Sequence, residues 1–194
     1  MDGQTHHVDN NVWVLGDDSE CVVIDAPHDV AEIQRLIAGR TVSAILATHG
    51  HDDHVRKAPE LADAVGAPIF LHPEDVPVWR LTHPDREPDR ELADKQVLDV
   101  AGVELQVLHT PGHAPGSVCL YCADIDVVFT GDTLFAGGPG ATGRSFSDFD
   151  VIVESIRDRL LILPERTAFH PGHGPSASIG EVAPRLPEWI DRGY

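Results

Sequence analysis

Ala44-Ile45-Leu46-Ala47-Thr48-His49-Gly50-His51-Asp52-Asp53-His54-Val55 joins an apolar run, a histidine-rich turn and the opening of a helix in one stretch. Ala44–Ala47 reads as a buried strand, and Val55–Val65 as a helix. Alternate residues of an extended turn project to one side, so His49 and His51 can share one ion. Asp53 and His54, where the helix opens, point elsewhere and can serve a second ion. Imidazole nitrogen and carboxylate oxygen are the donors that borderline divalent metals prefer.

Outward from this stretch, three more histidine or aspartate clusters each follow a predicted strand: His109-Thr110-Pro111-Gly112-His113, Gly131-Asp132-Thr133 and His170-Pro171-Gly172-His173-Gly174. Ligands at strand ends sit on loops anchored by a rigid scaffold, which suits an active site. Gly112 and Gly172 each precede a histidine and let the backbone turn tightly there. The remaining chain reads as a hairpin of Val12–Leu15 and Cys21–Asp25 around Gly16-Asp17-Asp18, then a helix at Val30–Ala38. Pro68–Leu71 reads as a strand, Pro73–Leu81 as a short helix, and Thr82–Leu92 as an exposed loop. Strands are expected at Gln96–Val100, Val103–Leu108, Ser117–Cys122, Asp126–Thr130 and Arg166–Phe169. An irregular Gly-rich loop at Leu134–Gly143, an amphipathic helix at Asp148–Leu161 and a short helix at Pro184–Ile190 complete the reading. Strand pairs followed by alternating elements, twice over, predict two sheets packed together with helices outside.

Taken together, His49-Gly-His51-Asp-Asp53-His54 followed by separate His113, Asp132 and His173 resembles the signature of the metallo-β-lactamase superfamily, HxHxDH with a later His, Asp and His. The resemblance runs from about Val12 to Gly174. It implies an α/β fold, the αββα four-layer sandwich, with the site at one edge of the sheets. It also implies that His49, His51 and His113 hold a first metal, that Asp53, His54 and His173 hold a second, and that Asp132 bridges them. Two divalent ions are thus the expected cofactors: zinc first, with iron or manganese as alternatives. His109 and His170 match no ligand position of the family and read as loop or supporting groups. The whole of 1–194 is expected to form a single metallo-hydrolase domain.

Two such ions ~3.5–4 Å apart share a water and lower its pKa from 15.7 toward ~7, so hydroxide attacks an acyl carbonyl at neutral pH. Asp53 is expected to bind the second metal and orient that hydroxide. Within the superfamily, His109–Ser117 and Gly131–Gly138 look most like the glyoxalase II branch, which hydrolyses hydroxyacylglutathione thioesters. Departing thiolate needs no general acid. Glyoxalase II enzymes carry a helical C-terminal region that helps hold glutathione; here the chain ends about twenty residues after His173, so no such domain is expected. The loop Gly137–Arg144 also departs from the branch's shorter, Cys-containing segment. The expected substrate is a small-molecule thioester of a small thiol, not necessarily glutathione, with Arg144 as its anion contact. The rival readings are a persulfide dioxygenase with one iron on His49, His113 and Asp132, a lactamase or lactonase, and a metal-binding partner protein without turnover.

Composition narrows the partners. Fourteen basic against 32 acidic side chains give a net charge of −18, and Lys57 and Lys95 are the only lysines. So anionic a chain lacks the basic footprint of a nucleic-acid or anionic-membrane binder. Met1–Asn10 is polar, with no signal peptide visible, and the three cysteines are no disulfide framework. A cytoplasmic setting is expected. Cys119 and Cys122 fall in a predicted strand, where positions i and i+3 face opposite ways, which argues for burial over a redox or zinc pair. Oligomeric state leaves no trace in the sequence.

Overall fold

The computed structural model describes residues 9–193. The polar N-terminal stretch, read as free of an export signal, lies outside the described residues as far as position 8. Two β-sheets organise the chain. The first has five strands in the order β1 (Trp13–Gly16), β2 (Glu20–Ile24), β3 (Thr41–Leu46), β4 (Ile69–Leu71), β5 (Arg90–Glu91). The second has six: β13 (Ala177–Ser178), β12 (Ala168–Pro171), β9 (Val127–Gly131), β8 (Val118–Cys122), β7 (Val103–His109) and β6 (Val97–Val100). Between β9 and β12 a two-strand hairpin forms from β10 (Leu134–Phe135) and β11 (Gly138–Pro139).

Three apolar layers result, because successive side chains of a strand point to opposite faces. Val22, Ile24, Ala44 and Leu46 meet Leu105, Val107, Leu120 and Phe129 between the sheets. The other face of the first sheet, with Cys21, Val23 and Ile45, packs under helices α1 (Val30–Ile37), α3 (Ala58–Val65) and α4 (Val76–Thr82). The outer face of the second, with Leu108, Cys119, Val128 and Phe169, packs under α5 (Phe149–Ser155), α6 (Ile179–Val182) and α7 (Leu186–Arg192). Helix, sheet, sheet and helix make the αββα sandwich. Cys119 faces the helices and Cys122 the inter-sheet layer, and Cys21, Cys119 and Cys122 are all free and buried. No described helix is long and apolar enough to cross a membrane.

Four expectations need correction. The helix expected at Val55–Val65 is two helices, α2 (Asp52–Val55) and α3, because the Pro59 ring would clash with the Val55 carbonyl four residues back. The exposed segment Thr82–Leu92 supplies the edge strand β5, which pairs in parallel with Phe70–Leu71; two charged, exposed residues carry no apolar alternation to reveal a strand. The Gly-rich stretch from Leu134 begins as the β10–β11 hairpin rather than as irregular loop. Gly138, which leads the chain out of the turn into β11, adopts φ +136, a conformation that glycine alone takes readily. Past the predicted strand at Arg166–Phe169, β13 and the capped helix α6 add two elements; Ser178 and Glu181 form a reciprocal capping box at its start.

The topology gathers the functional loops. β12 runs parallel to β9, and β7 and β9 are both antiparallel to β8, so β7, β9 and β12 all end at the same edge. There β3 of the other sheet also ends, tied across by the Val118 N–H donating to the Thr48 carbonyl.

Candidate metal centre

All seven predicted side chains converge at that edge. His49, His51 and His113 bring one donor atom each within 4.8 Å of one another, as do His49, His54 and Asp132, and again Asp53, His54 and His173. The rings of His49, His51 and His113 are close to mutually perpendicular, at 88°, 88° and 86°, with centroids 4.8 to 4.9 Å apart. His51 Nδ1 faces His113 Nε2 at 3.0 Å, and His54 Nε2 faces His173 Nε2 at 3.2 Å. Asp132 lies among them: Oδ1 is 3.3 Å from His54 Nε2, and Oδ2 is 3.4 Å from His173 Nε2 and 3.7 Å from His113 Nε2. Asp53 Oδ2 is 3.3 Å from His173 Nε2.

The outer nitrogens of these rings settle which inner ones are free. A carbonyl only accepts, so His113 Nδ1–H donates to the Ala141 carbonyl (2.8 Å) and His173 Nδ1–H to that of Asp9 (3.0 Å). His54 Nδ1 is 2.8 Å from Asp25 Oδ2. The same oxygen accepts from the Thr48 hydroxyl at 2.8 Å, which leaves the Thr48 oxygen to accept from His49 Nδ1 at 3.1 Å. In four rings Nε2 is therefore the atom left to face inward, and a bond on the outer nitrogen fixes tautomer and orientation as it does for metal-binding imidazoles. His49 Nε2 and Asp132 Oδ1 are buried without a hydrogen-bond partner. Buried polar atoms without partners are costly, and a cation held between these donors would satisfy both. The donor set fits a pair of divalent ions.

Electrostatics divide the cluster. Burial holds the His49 imidazole well below its ordinary pKa, lowers that of His113, and brings His51 down to about 4, so these three are neutral at neutral pH. Burial also opposes a charge on His54, but the Asp132 and Asp25 carboxylates outweigh it and hold its pKa well above the usual value. Hydrogen bonds that His173 donates to the Asp132 and Asp53 carboxylates raise its pKa to about 10. Against the cost of burial, His54 and His173 keep Asp132 ionised, and His173, His54 and Asn10 do the same for Asp53.

Close approach explains two glycines. A Cβ on Gly172 would lie 2.3 Å from Asp132 Oδ1 and 2.5 Å from His54 Cε1. Gly112, at φ +130, would bring one within 2.3 Å of the Ile152 backbone. Arg144 lines a cleft of about 420 Å3 that opens on His51, Asp53 and His113, and its guanidinium pairs with no carboxylate among the described residues. His109 and His170 stay out of the centre. His109 Nε2 donates to the Pro115 carbonyl at 2.9 Å, and His170 Nδ1 meets the Ser176 hydroxyl at 2.7 Å.

The motif reading missed Asp25, Thr48, Asn10 and Asp75. Asp25 orients His54 directly and His49 through Thr48; its signal was an acidic residue at the end of an apolar strand, the position type shared with the seven converging donors. Asn10 Nδ2 donates to the Asp53 carbonyl (2.7 Å) and is 3.3 Å from its carboxylate. Asp75 is fully buried and accepts from the Gly50 and Gly116 amides, bracing the turns that carry His49, His51 and His113. No local pattern marks these last two.

The family model described as "Metallo-beta-lactamase superfamily" matches residues 7–179. The chain is 33% identical to a "Probable metallo-hydrolase" of Bacillus subtilis, with 87% of each chain covered. It is 34% identical to the hydroxyacylglutathione hydrolase GloC of Haemophilus influenzae, with 88% of each covered. Among solved structures it is similar to the BLEG-1 B3 metallo-beta-lactamase, at 31% identity and TM-score 0.84, covering 93% of this chain and 94% of that one. It is likewise similar to TTHA1623 in a di-iron-bound form, at 33% identity and TM-score 0.81, covering 92% and 94%.

Proposed function

Because the chain belongs to the metallo-beta-lactamase superfamily, we propose that it is a binuclear hydrolase acting on a thioester of a small thiol. The observation that carries the metal reading is the convergence of seven donors around His49 Nε2 and Asp132 Oδ1, two buried atoms left without partners. His49, His51 and His113 are assigned to one ion, Asp53, His54 and His173 to the other, and Asp132 to both. Zinc or iron suits this set of donors; the di-iron form of the similar TTHA1623 structure supports iron. When bound, the ions supply Lewis acidity, lowering the pKa of a water from 15.7 toward ~7 and stabilising charge that develops on an acyl oxygen.

The chain's own groups do the rest. Asp25, Thr48 and the Ala141 and Asp9 carbonyls hold four imidazoles with Nε2 inward, so little reorganisation accompanies the reaction. Asp53 is 40% exposed and lines the cleft with its carboxylate ionised, steadied by Asn10; it is placed to accept a hydrogen bond from the attacking water and aim it. Arg144, which lines the same cleft, offers an anion contact for the thiol arm. Apart from the seven donors, the cleft contains no acid or histidine but Asp52, whose carboxylate is engaged with Arg56. A leaving group that departs as an anion suits such a site, and a thiolate does so far more readily than an alkoxide or amide. The relative named hydroxyacylglutathione hydrolase supports the thioester. The B3 metallo-beta-lactamase similarity makes a lactam the necessary control.

The test is a panel of acyl thioesters, matched oxygen esters and a β-lactam, offered to purified protein loaded with zinc or iron. Thioester cleavage is expected to exceed ester cleavage at least 100-fold. Efficient lactam or ester cleavage with no thioester turnover overturns the substrate reading. Oxygen uptake with a thiol persulfide and one iron per chain would replace it with the dioxygenase.

A further inference from the structure

Two clefts meet at Asp132, and they are chemically unlike. One carries Arg144, Ser145 and Ser147. The other, of about 450 Å3, is walled by Phe135, Ala136, Gly137 and Pro175 and reaches the centre at Asp132 and His173. Beyond those two donors, no side chain lining this second cleft has a polar atom.

We propose that the second cleft receives the acyl arm of the substrate, and that this arm is uncharged and apolar, an aryl or short alkyl acyl group rather than a hydroxyacyl one. The bond type and the assignment of the two arms rest on the thioester reading; the apolar lining of the cleft does not. With the anionic thiol arm on the Arg144 side, the acyl arm leaves the reacting carbonyl on the opposite side of Asp132. There a hydroxyl carried on the acyl chain would find no side-chain partner outside the seven donors, so it gains no specific contact from the wall. An apolar group instead gains from every contact it makes with Phe135 and Pro175.

The wall is built rather than loose. Phe135 and Gly138 pair across the β10–β11 hairpin. Arg185 Nη1 donates to the Ala136 carbonyl at 3.0 Å, pinning the turn from the side of the C-terminal helices. A Cβ on Gly138 would lie 3.1 Å from Trp189 Nε1, so the hairpin backbone rests directly on this fully buried indole. Leu134, at 0% exposure, anchors the hairpin's start in the core. Phe135 is half-buried, with its ring centroid 6.1 Å from that of His173. It is the one large side chain that both lines the cleft and approaches a donor ring, which makes it the residue that sets acyl specificity.

The experiment uses the zinc-loaded full chain and two substrate series. In one the thiol is constant and the acyl group is acetyl, butanoyl, benzoyl or 2-hydroxypropanoyl; in the other the acyl group is acetyl and the thiol varies. Added methylenes in an apolar pocket are worth roughly 10-fold or more in kcat/KM. The benzoyl-to-acetyl ratio is therefore expected to reach about 10 or more, and the 2-hydroxypropanoyl thioester to fall below butanoyl. Phe135→Ala should collapse the benzoyl-to-acetyl ratio, and Phe135→Leu should restore most of it, with metal content equal in all three proteins. Calorimetric titration of the metal-loaded protein with benzoate and with 2-hydroxypropanoate is read alongside. Tighter benzoate binding that Phe135→Ala abolishes supports the cleft even if no thioester is cleaved, so failure of the hydrolase reading remains separable. A preference for 2-hydroxypropanoyl, or an apolar preference that follows the thiol instead of the acyl group, overturns the proposal.

Discussion

Among the described residues there are two clusters of histidine and acid, and one of the two is arranged to hold a cation. His72, Glu74 and His109 bring their donor atoms as close together as the trios of the main cluster do, all within 4.8 Å. Their geometry differs. The His72 and His109 rings are stacked, 4.1 Å apart and 13° from parallel. An imidazole lone pair lies in the ring plane, and two nearly parallel planes at that separation have no common point where an ion could sit. His72 Nδ1 already accepts the Glu74 amide, and His109 Nε2 donates to a carbonyl. In the main cluster the His49, His51 and His113 rings stand nearly perpendicular to one another, and the outer nitrogens of His49, His54, His113 and His173 are engaged while their inner ones face the centre. Proximity brings donors together; direction and unmet bonding capacity decide whether they can ligate.

The largest effect that could break this contrast is expected at Gly172. Gly172→Ala forces a methyl onto Asp132 and His54, and a displacement near 1 Å at such a site costs ~100-fold. Turnover by the folded, metal-loaded variant should fall by about that factor or more. Wild-type rates would show that Asp132 does not sit where the chemistry occurs. Asp25→Asn comes next. It weakens the direct hold on His54 and the Thr48-relayed hold on His49, and supporting-residue changes of this kind typically cost ~10–100-fold in metal affinity. Competition with a chelator of known affinity measures it.

Proton release is the third expectation. In metal-free protein His173 titrates near 10, held up by its hydrogen bonds to Asp132 and Asp53. This pairing stabilises the metal-free fold fully below the unfolded histidine value of ~6.5 and is lost as pH rises through about 10. A cation needs the His173 lone pair, so uptake at pH 7.5 should expel protons. Titration calorimetry in buffers of different ionisation enthalpy counts them. The count should shrink as the starting pH passes about 10, and zero release at pH 7.5 would remove His173 from the ligand set. The smallest effect belongs to the other cluster. His109→Phe keeps an aromatic ring against His72 and loses one hydrogen bond, so a stability cost of about 1 kcal/mol is expected, read as a fall in melting temperature. Metal content should be unchanged; a lost equivalent of metal would show the stacked pair to be a site after all.

Legibility followed the same line between proximity and direction. His49, His51, Asp53, His54, His113, Asp132 and His173 were all readable because each belongs to a local pattern at a strand end. Asp25 carried the same positional signal without a motif to draw the eye. Asp75 and Asn10 act across 25 to 43 residues of chain, through hydrogen bonds to the Gly50 and Gly116 amides and to the Asp53 carbonyl. Such bonds leave no periodicity or spacing behind. The strand β5 was hidden for a related reason, since two exposed charged residues pair by backbone alone.

By itself, then, the sequence determined the layer order and the donor inventory, because alternation and strand-end histidines are local properties of the chain. Only the folded structure decided which way each imidazole faces, which of two histidine clusters has room for an ion, and that a polar and an apolar cleft meet at Asp132. Those depend on contacts between residues far apart in sequence. Their directions are set by packing and hydrogen bonds that exist only once both sheets and their helices have closed around the core.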